Sequence, residues 1–376
     1  MIGVGVAGHP LAAAGNTWAF LQWVLGFREL GWEVWMVEGL AGDQLIDERW
    51  QKGVAAEGSE NVRHWRAVCE RFGLASRASL LIDDAAENLE ELRDFARSAD
   101  VFLNVSGHFK GKGLEFPRAR KLYLDLDPGF TQIWAETYGV DMNFAGHDVF
   151  FSYGTRLGRE GCRAPTCGIE WQGVLPPVVL SQWPVQPRQG SFEAFSTLAH
   201  WQGYKWCEWQ GAWYTGKSEE FHRLKEVPGS VPARMELATE VEANAEELKA
   251  FAEGGWCLVD GVAISRSFES YVEYLRKSSA EFSAAKGGYV LSQGGWFSDR
   301  SVCYLASGRP VVLQATGIEE RVGSGRGLRV FRSPEEAIRE CREVLENHEQ
   351  EQKAARELAE TFFDSRVVIQ DMLGKI

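Results

Sequence analysis

Two series of short, continuous apolar runs, each run followed by a helical segment, flank a Gly/Pro-rich region. This alternation narrows the fold more than any other feature of the chain. In the first series, residues 2–7, 33–37, 101–105, 121–126 and 148–152 read as strands. Helices are expected over 17–30, capped by Asn16 and closed by Gly31, and over 61–72 and 85–98. Runs that are apolar throughout are buried on both faces, which requires a parallel sheet with helices on either side. Between residues 158 and 187 periodicity fades among Pro165, Pro176, Pro177, Pro184 and Pro187, marking an interdomain connection. The alternation then resumes, with strands expected at 194–199, 256–260 and 327–331, and helices at 218–224, 267–278 and from Ser333–Pro334 onward. Two doubly wound halves imply a cleft, and ligands of such sheets sit beyond the carboxyl ends of the strands.

The most specific block lies late in the second series. Residues 289–291 read as a strand, followed by a loop and a short helix that Ser298 caps and Gly308 closes. Pro310 then opens an apolar run too short for another helix. A helix N-terminus between buried parallel strands is an anion site, because its free N–H groups and dipole face outward. Such a site suits the diphosphate of a nucleotide sugar.

Length and composition set bounds. The 376 residues are enough for two or three domains. The formal charge of −13 is spread along the chain, which argues against a duplex nucleic acid partner while leaving room for a local basic pocket. Seven scattered cysteines and the lack of a targeting signature point to reduced thiols in the cytoplasm. Cys162 and Cys167 are the nearest pair, and two structural thiols are expected there in preference to zinc, so no metal site is assigned. No apolar run reaches the roughly 18–20 residues of a membrane span. Fifteen tryptophans are unusual. Trp134, Trp171, Trp183, Trp201, Trp206, Trp209, Trp213 and Trp296 fall in expected loops, where they either fill a core or stack on sugar rings or a flat acceptor.

Gly3-Val4-Gly5-Val6-Ala7-Gly8 matches G-x-G-x-x-G, and Glu38 would suit a ribose. The dinucleotide fingerprint requires a helix that starts inside the motif. Here the glycines fall within the expected strand and the helix follows Gly15–Asn16, so the match is rejected. The loop holding Gly8, Gly15 and Asn16 is expected instead to line the cleft on the acceptor side.

Two Rossmann-like halves and the segment Leu305–Ala306–Ser307–Gly308–Arg309–Pro310–Val311–Val312, followed by Thr316–Gly317, resemble GT-B glycosyltransferases, nearest to the glycosyltransferase 4 type. The resemblance implies an acceptor-side domain over residues 1–175 and a donor domain over 176–360. It also implies a terminal helix over 361–376 that crosses back, and transfer from a nucleotide-sugar co-substrate without a cofactor or metal. Retaining members carry two glutamates eight positions apart, but the corresponding residues here are Gly295 and Cys303. Asp299 and Arg300 are candidates to take over part of that role.

The departing diphosphate must be neutralised. The candidates are Arg300, Lys286, Lys205 and Lys217, the last two favoured by the family's basic pair, with Ser298, Thr316 and Gly317 as donors. On the acceptor side, Asp127, at the tip of the strand in Leu124–Asp125–Leu126–Asp127–Pro128–Gly129, is the candidate base. His147 beside Asp148, and His9 in the first loop, are further candidates, and His108 follows another strand. A nucleotide-sugar epimerase, a non-catalytic sugar-nucleotide-binding protein and a nicotinamide oxidoreductase remain competing readings.

Overall fold

The apolar runs build two parallel sheets. The computed structural model describes every residue except 11–13, 112, 186–191, 202 and 204, so Pro187 and part of the Gly8–Asn16 loop lie outside the described residues. The first sheet comprises β1 (Ile2–Gly3), β2 (Met36–Leu40), β3 (Ala78–Ile82), β4 (Val101–Val105), β5 (Arg120–Asp125), β6 (Val149–Ser152) and β7 (Trp171–Gly173), in the order β3-β2-β1-β4-β5-β6-β7. The second contains β8 (Phe195–Leu198), then, after a hairpin of β9 (Cys207–Trp209) and β10 (Ala212–Tyr214), β11 (Met235–Thr239), β12 (Cys257–Asp260), β13 (Ala280–Ser283), β14 (Val311–Gln314) and β15 (Leu328–Phe331). Its order, β12-β11-β8-β13-β14-β15, repeats that of the first six strands. In both sheets the order reverses beside the first strand, so a crevice opens at β1/β4 and another at β8/β13.

Several expected elements move. Residues 289–291 are helical, within Gly287–Ser292, and the buried strand before them is β13. Gly287 and Gly288 allow this helix to pack closely. A Cβ on Gly288 would lie 2.6 Å from the Phe130 ring, and one on Gly287 would collide with Thr215. The first helix runs from Ala14 to Glu29, so Gly15 and Asn16 belong to it and do not line a loop. Gly15 faces the Tyr271 ring of the second lobe, 3.1 Å from where a Cβ would sit. The Asp299–Ala306 helix forms as expected, with the Ser298 side chain accepting from the Arg300 amide. β3, β7, β9, β10, β11 and β13 lie outside the expected strands.

One apolar core runs through both lobes, joining Trp18, Trp23 and Phe27 of the first helix to Tyr271, Phe297 and Tyr304. The terminal Ser365–Leu373 helix packs on the first helix, where Gly26 makes room for Ser365 and Ile369. Val178 and the Phe363–Ser365 segment exchange backbone hydrogen bonds. Among the described residues no helix is long and apolar enough to cross a membrane.

Candidate functional site

The carboxyl ends of β8 and β13 gather cations. Arg300, on the first turn of its helix, donates to Glu281 at 2.6 Å and to the Leu198 carbonyl. Glu281 is fully buried, so this guanidinium balances a carboxylate of the sheet and is not free for a ligand. Lys217 opens the Lys217–Leu224 helix and lies half-buried close to Arg300, Glu281 and Lys286. Loss of hydration, reinforced by the Arg300 charge, pushes its ammonium well below the ordinary lysine range. It makes no hydrogen bond or ion pair among the described residues. An unpaired, partly desolvated cation is a costly feature unless an anion visits it.

Lys286 crosses the cleft. Its ammonium donates to the Asp127 carboxylate at 2.8 Å, and the Tyr289 hydroxyl donates to the same oxygen. Lys286 also lies over the rings of Phe130 and Tyr289. The two side chains keep 16% and 28% exposure, so the pair forms a floor that solvent reaches. Asp125 ends β5 fully buried, accepting from Thr131, Gln132, Ser152 and the Asp127 amide. It shapes the turn: strand alternation would put residues 125 and 127 on one face, but β5 ends at Asp125 and the turn beyond it directs Asp127 to Lys286.

Asp299 sits at the lobe interface, hydrogen-bonded to the Tyr153 hydroxyl, which also accepts from Trp23. Its Oδ1 is buried and has no partner among the described residues. Burial pushes Asp299 up to about 7 against the Tyr153 bond, and the Asp127 charge adds to the rise. Gly295 has φ +79°, and Cys303 donates to the Asp299 carbonyl. Neither provides a carboxylate, and the orphaned Asp299 oxygen is the acidic group nearest in the chain to both positions.

Other expected site residues have different duties. Ser298 caps its helix. Thr316 donates its hydroxyl to the Trp296 carbonyl at 2.6 Å, and the Gly317 amide is held by Glu319. Lys205 is exposed. His147 is wedged among Phe102, Tyr123 and Phe150, with one nitrogen on the Phe144 carbonyl and the other on Asn104. That is a packing position, not one for a base. Burial lowers its proton affinity.

The other crevice, beyond β1 to β4, holds a cavity of about 650 Å³ lined by Gly8, His9, Glu38, Asn61, Ser106 and His108 among others. His9 stands edge-on to His108 at 6.4 Å between ring centres. Burial first, then the His9 charge, lowers the proton affinity of His108, while Asp127 is close enough to oppose this. His108, on the cavity wall, is thus the lining residue that feels the Asp127 charge. Glu38 accepts the amides of Val6, Ala7 and Gly8, each at 2.7 Å. A carboxylate from within the chain thus occupies the nest that a dinucleotide phosphate would use. The glycines Gly5 and Gly8 do follow β1 as a loop, contrary to the expected longer strand, and this occupied nest is the structural obstacle to a nicotinamide cofactor.

No protein-family model matches the chain, and no curated protein matches it in sequence. Among solved structures, an α-glucosyltransferase in complex with UDP-glucose and DNA containing an abasic site is similar over 100% of this chain and 98% of its own. The TM-score is 0.58 at 13% identity. Anabaena HepE in complex with UDP-glucose is similar over 100% of this chain and 99% of its own, with a TM-score of 0.56 at 12% identity. An α-glucosyltransferase with UDP and a 13-mer DNA containing a HMU base matches over 100% and 98%, with a TM-score of 0.54 at 12% identity. These likenesses establish the GT-B fold. They also overturn the exclusion of duplex nucleic acid drawn from net charge, because two of the complexes contain DNA. Net charge sums a whole surface, whereas a nucleic acid touches one face of it.

Proposed function

We propose that the chain transfers a glycosyl group from a nucleoside diphosphate sugar, held by the second lobe, to a hydroxyl of an acceptor held by the first. Lys217 carries this reading: a cation with no hydrogen bond or ion pair among the described residues, set at the β8/β13 crevice beside Arg300 and beside the Lys286 that pairs with Asp127. Glycosyl transfer from such a donor builds negative charge on the departing diphosphate, and a preorganised ammonium in a partly dehydrated site stabilises it. In this reading Lys217 and Lys286 supply the neutralising charge in place of a metal ion. UDP and UDP-glucose in the complexes of similar fold support a nucleotide-sugar donor. The late Ala306–Pro310 segment supports a glycosyltransferase 4-like relationship.

Asp299 accepts donor hydroxyls where the family places glutamates, and the cavity around His9 and His108 takes the acceptor. Asp127 fixes Lys286 and, once a donor draws that lysine away, orients the attacking hydroxyl. We read residues 1–175 as the acceptor-side lobe, 176–360 as the donor lobe and 361–376 as the returning helix, a division that the two sheets and the Ser365–Leu373 helix support. A panel of nucleotide sugars tests the proposal, read by thermal stabilisation and by release of free nucleoside diphosphate with simple glycoside acceptors. Stabilisation by one donor together with nucleotide release supports transfer. Stabilisation by none contradicts it.

A further inference from the structure

The fifteen tryptophans divide sharply once the fold is known. Trp171, Trp183, Trp201 and Trp296 are buried. Trp206 and Trp213 are 50% and 57% exposed, and both belong to the β9–β10 hairpin region. Its register pairs Cys207 with Tyr214 and Glu208 with Trp213. Side chains alternate along a strand, so Trp206, Glu208 and Trp213 share one face, and Cys207 and Tyr214 share the other. The second face is buried. The first presents two indoles set diagonally across the strands, a spacing within reach of large side chains, with a carboxylate beside both. Tyr138, itself 50% exposed, borders the same hairpin and accepts from the Glu208 amide at 2.8 Å.

We propose that Trp206, Glu208 and Trp213 form a platform for an oligosaccharide. The C–H face of a pyranose ring is apolar and stacks on an indole, while its rim of hydroxyls donates to a carboxylate. Two indoles flanking one acceptor repeat that pattern for neighbouring sugar units. A phosphate-bearing chain or an anionic membrane meets an unfavourable carboxylate at the centre of the same face. The exposed Lys205 at the edge adds a donor for hydroxyls.

The platform is joined to the cleft by its buried face. Tyr214 packs on Phe130 with 6.5 Å between centres, Phe130 packs on Tyr289 at 5.6 Å, and the Tyr289 hydroxyl reaches Asp127. The inner face of the hairpin therefore stands two ring contacts from the Asp127–Lys286 pair, with the platform on the outer face of the same hairpin. The platform gives the acceptor proposed above a class, a glycan of several units, and in that respect rests on that reading. Its binding, however, requires neither donor nor transfer.

The test is titration of the full chain with maltoheptaose, cellohexaose and chitohexaose, followed by saturation-transfer NMR and calorimetry. Anionic phosphatidylglycerol vesicles serve as the contrasting probe. At least one oligosaccharide binds the unmodified chain. Trp206→Ala/Trp213→Ala weakens it about tenfold or more, and Glu208→Gln weakens it to a smaller extent. UDP-glucose binding, measured on the same samples, is unchanged by these variants. Absence of binding by all three sugars, or equal binding by the double variant, overturns the platform. So does vesicle binding that is lost in the double variant without any sugar binding. Glycan binding without any nucleotide-sugar binding keeps the platform and removes the transferase reading, so the two failures are distinguishable.

Discussion

At the residue scale, the two cations beside β13 differ in what holds them. Arg300 and Lys217 both looked like diphosphate ligands, yet Arg300 is bound to a buried carboxylate and Lys217 is not. The difference lies in Glu281, whose inward orientation depends on tertiary packing. Arg300→Ala leaves Glu281 buried and uncompensated, and should lower unfolding free energy by about 3–5 kcal/mol in urea titrations. A loss of donor affinity with full stability would show that the guanidinium serves the ligand instead. Asp299 gives a pH prediction. Its proton affinity is raised from 3.8 to about 7 in the fold, so its favourable contribution is complete below pH 3.8 and is lost as pH climbs to about 7. Stability curves of Asp299→Asn and the parent chain should therefore diverge in the variant's favour across that window. Parallel curves would place Asp299 in an ordinary, solvated setting.

At the element scale, legibility followed apolar continuity. β4 is found where its run predicted, because Val101–Val105 is apolar except for Asn104 and buried throughout. Residues 289–291 misled for the same reason: a short apolar run suits a buried strand or a buried helix turn equally well. What decides the matter is the pair Gly287–Gly288, which lets a helix lie against Phe130 and Tyr214. β11 was missed because Glu236 interrupts its apolar character. Glu38 was noticed beside the glycine motif, but only the fold shows it gripping three amides of that loop. Gly288→Ala, by pressing on Phe130, should cost about 1–3 kcal/mol of stability and loosen the base of the Lys286–Asp127 bridge. Unchanged melting would mean that the ring moves aside freely.

At the scale of the whole molecule, the alternating runs imply two doubly wound halves with a cleft between them, while the strand order that the two sheets share is visible only in the fold. The lobes are held by contacts that no local pattern reveals, such as Gly15 under Tyr271, Asp299 on Tyr153 and the terminal helix on Gly26. Gly26→Val would drive a side chain into Ser365 and Ile369, and unfolding should shift by about 1–3 kcal/mol as the returning helix is displaced. Independence of stability from this position would deny the helix a role in joining the lobes.

The central claim is that Lys217 receives the donor diphosphate. Calorimetric titration of UDP-glucose into the parent chain and Lys217→Ala measures it most directly. The account predicts a dissociation constant about tenfold or more higher in the variant, with stability equal or improved because a dehydrated cation has been removed. Equal affinity in the two proteins would contradict it.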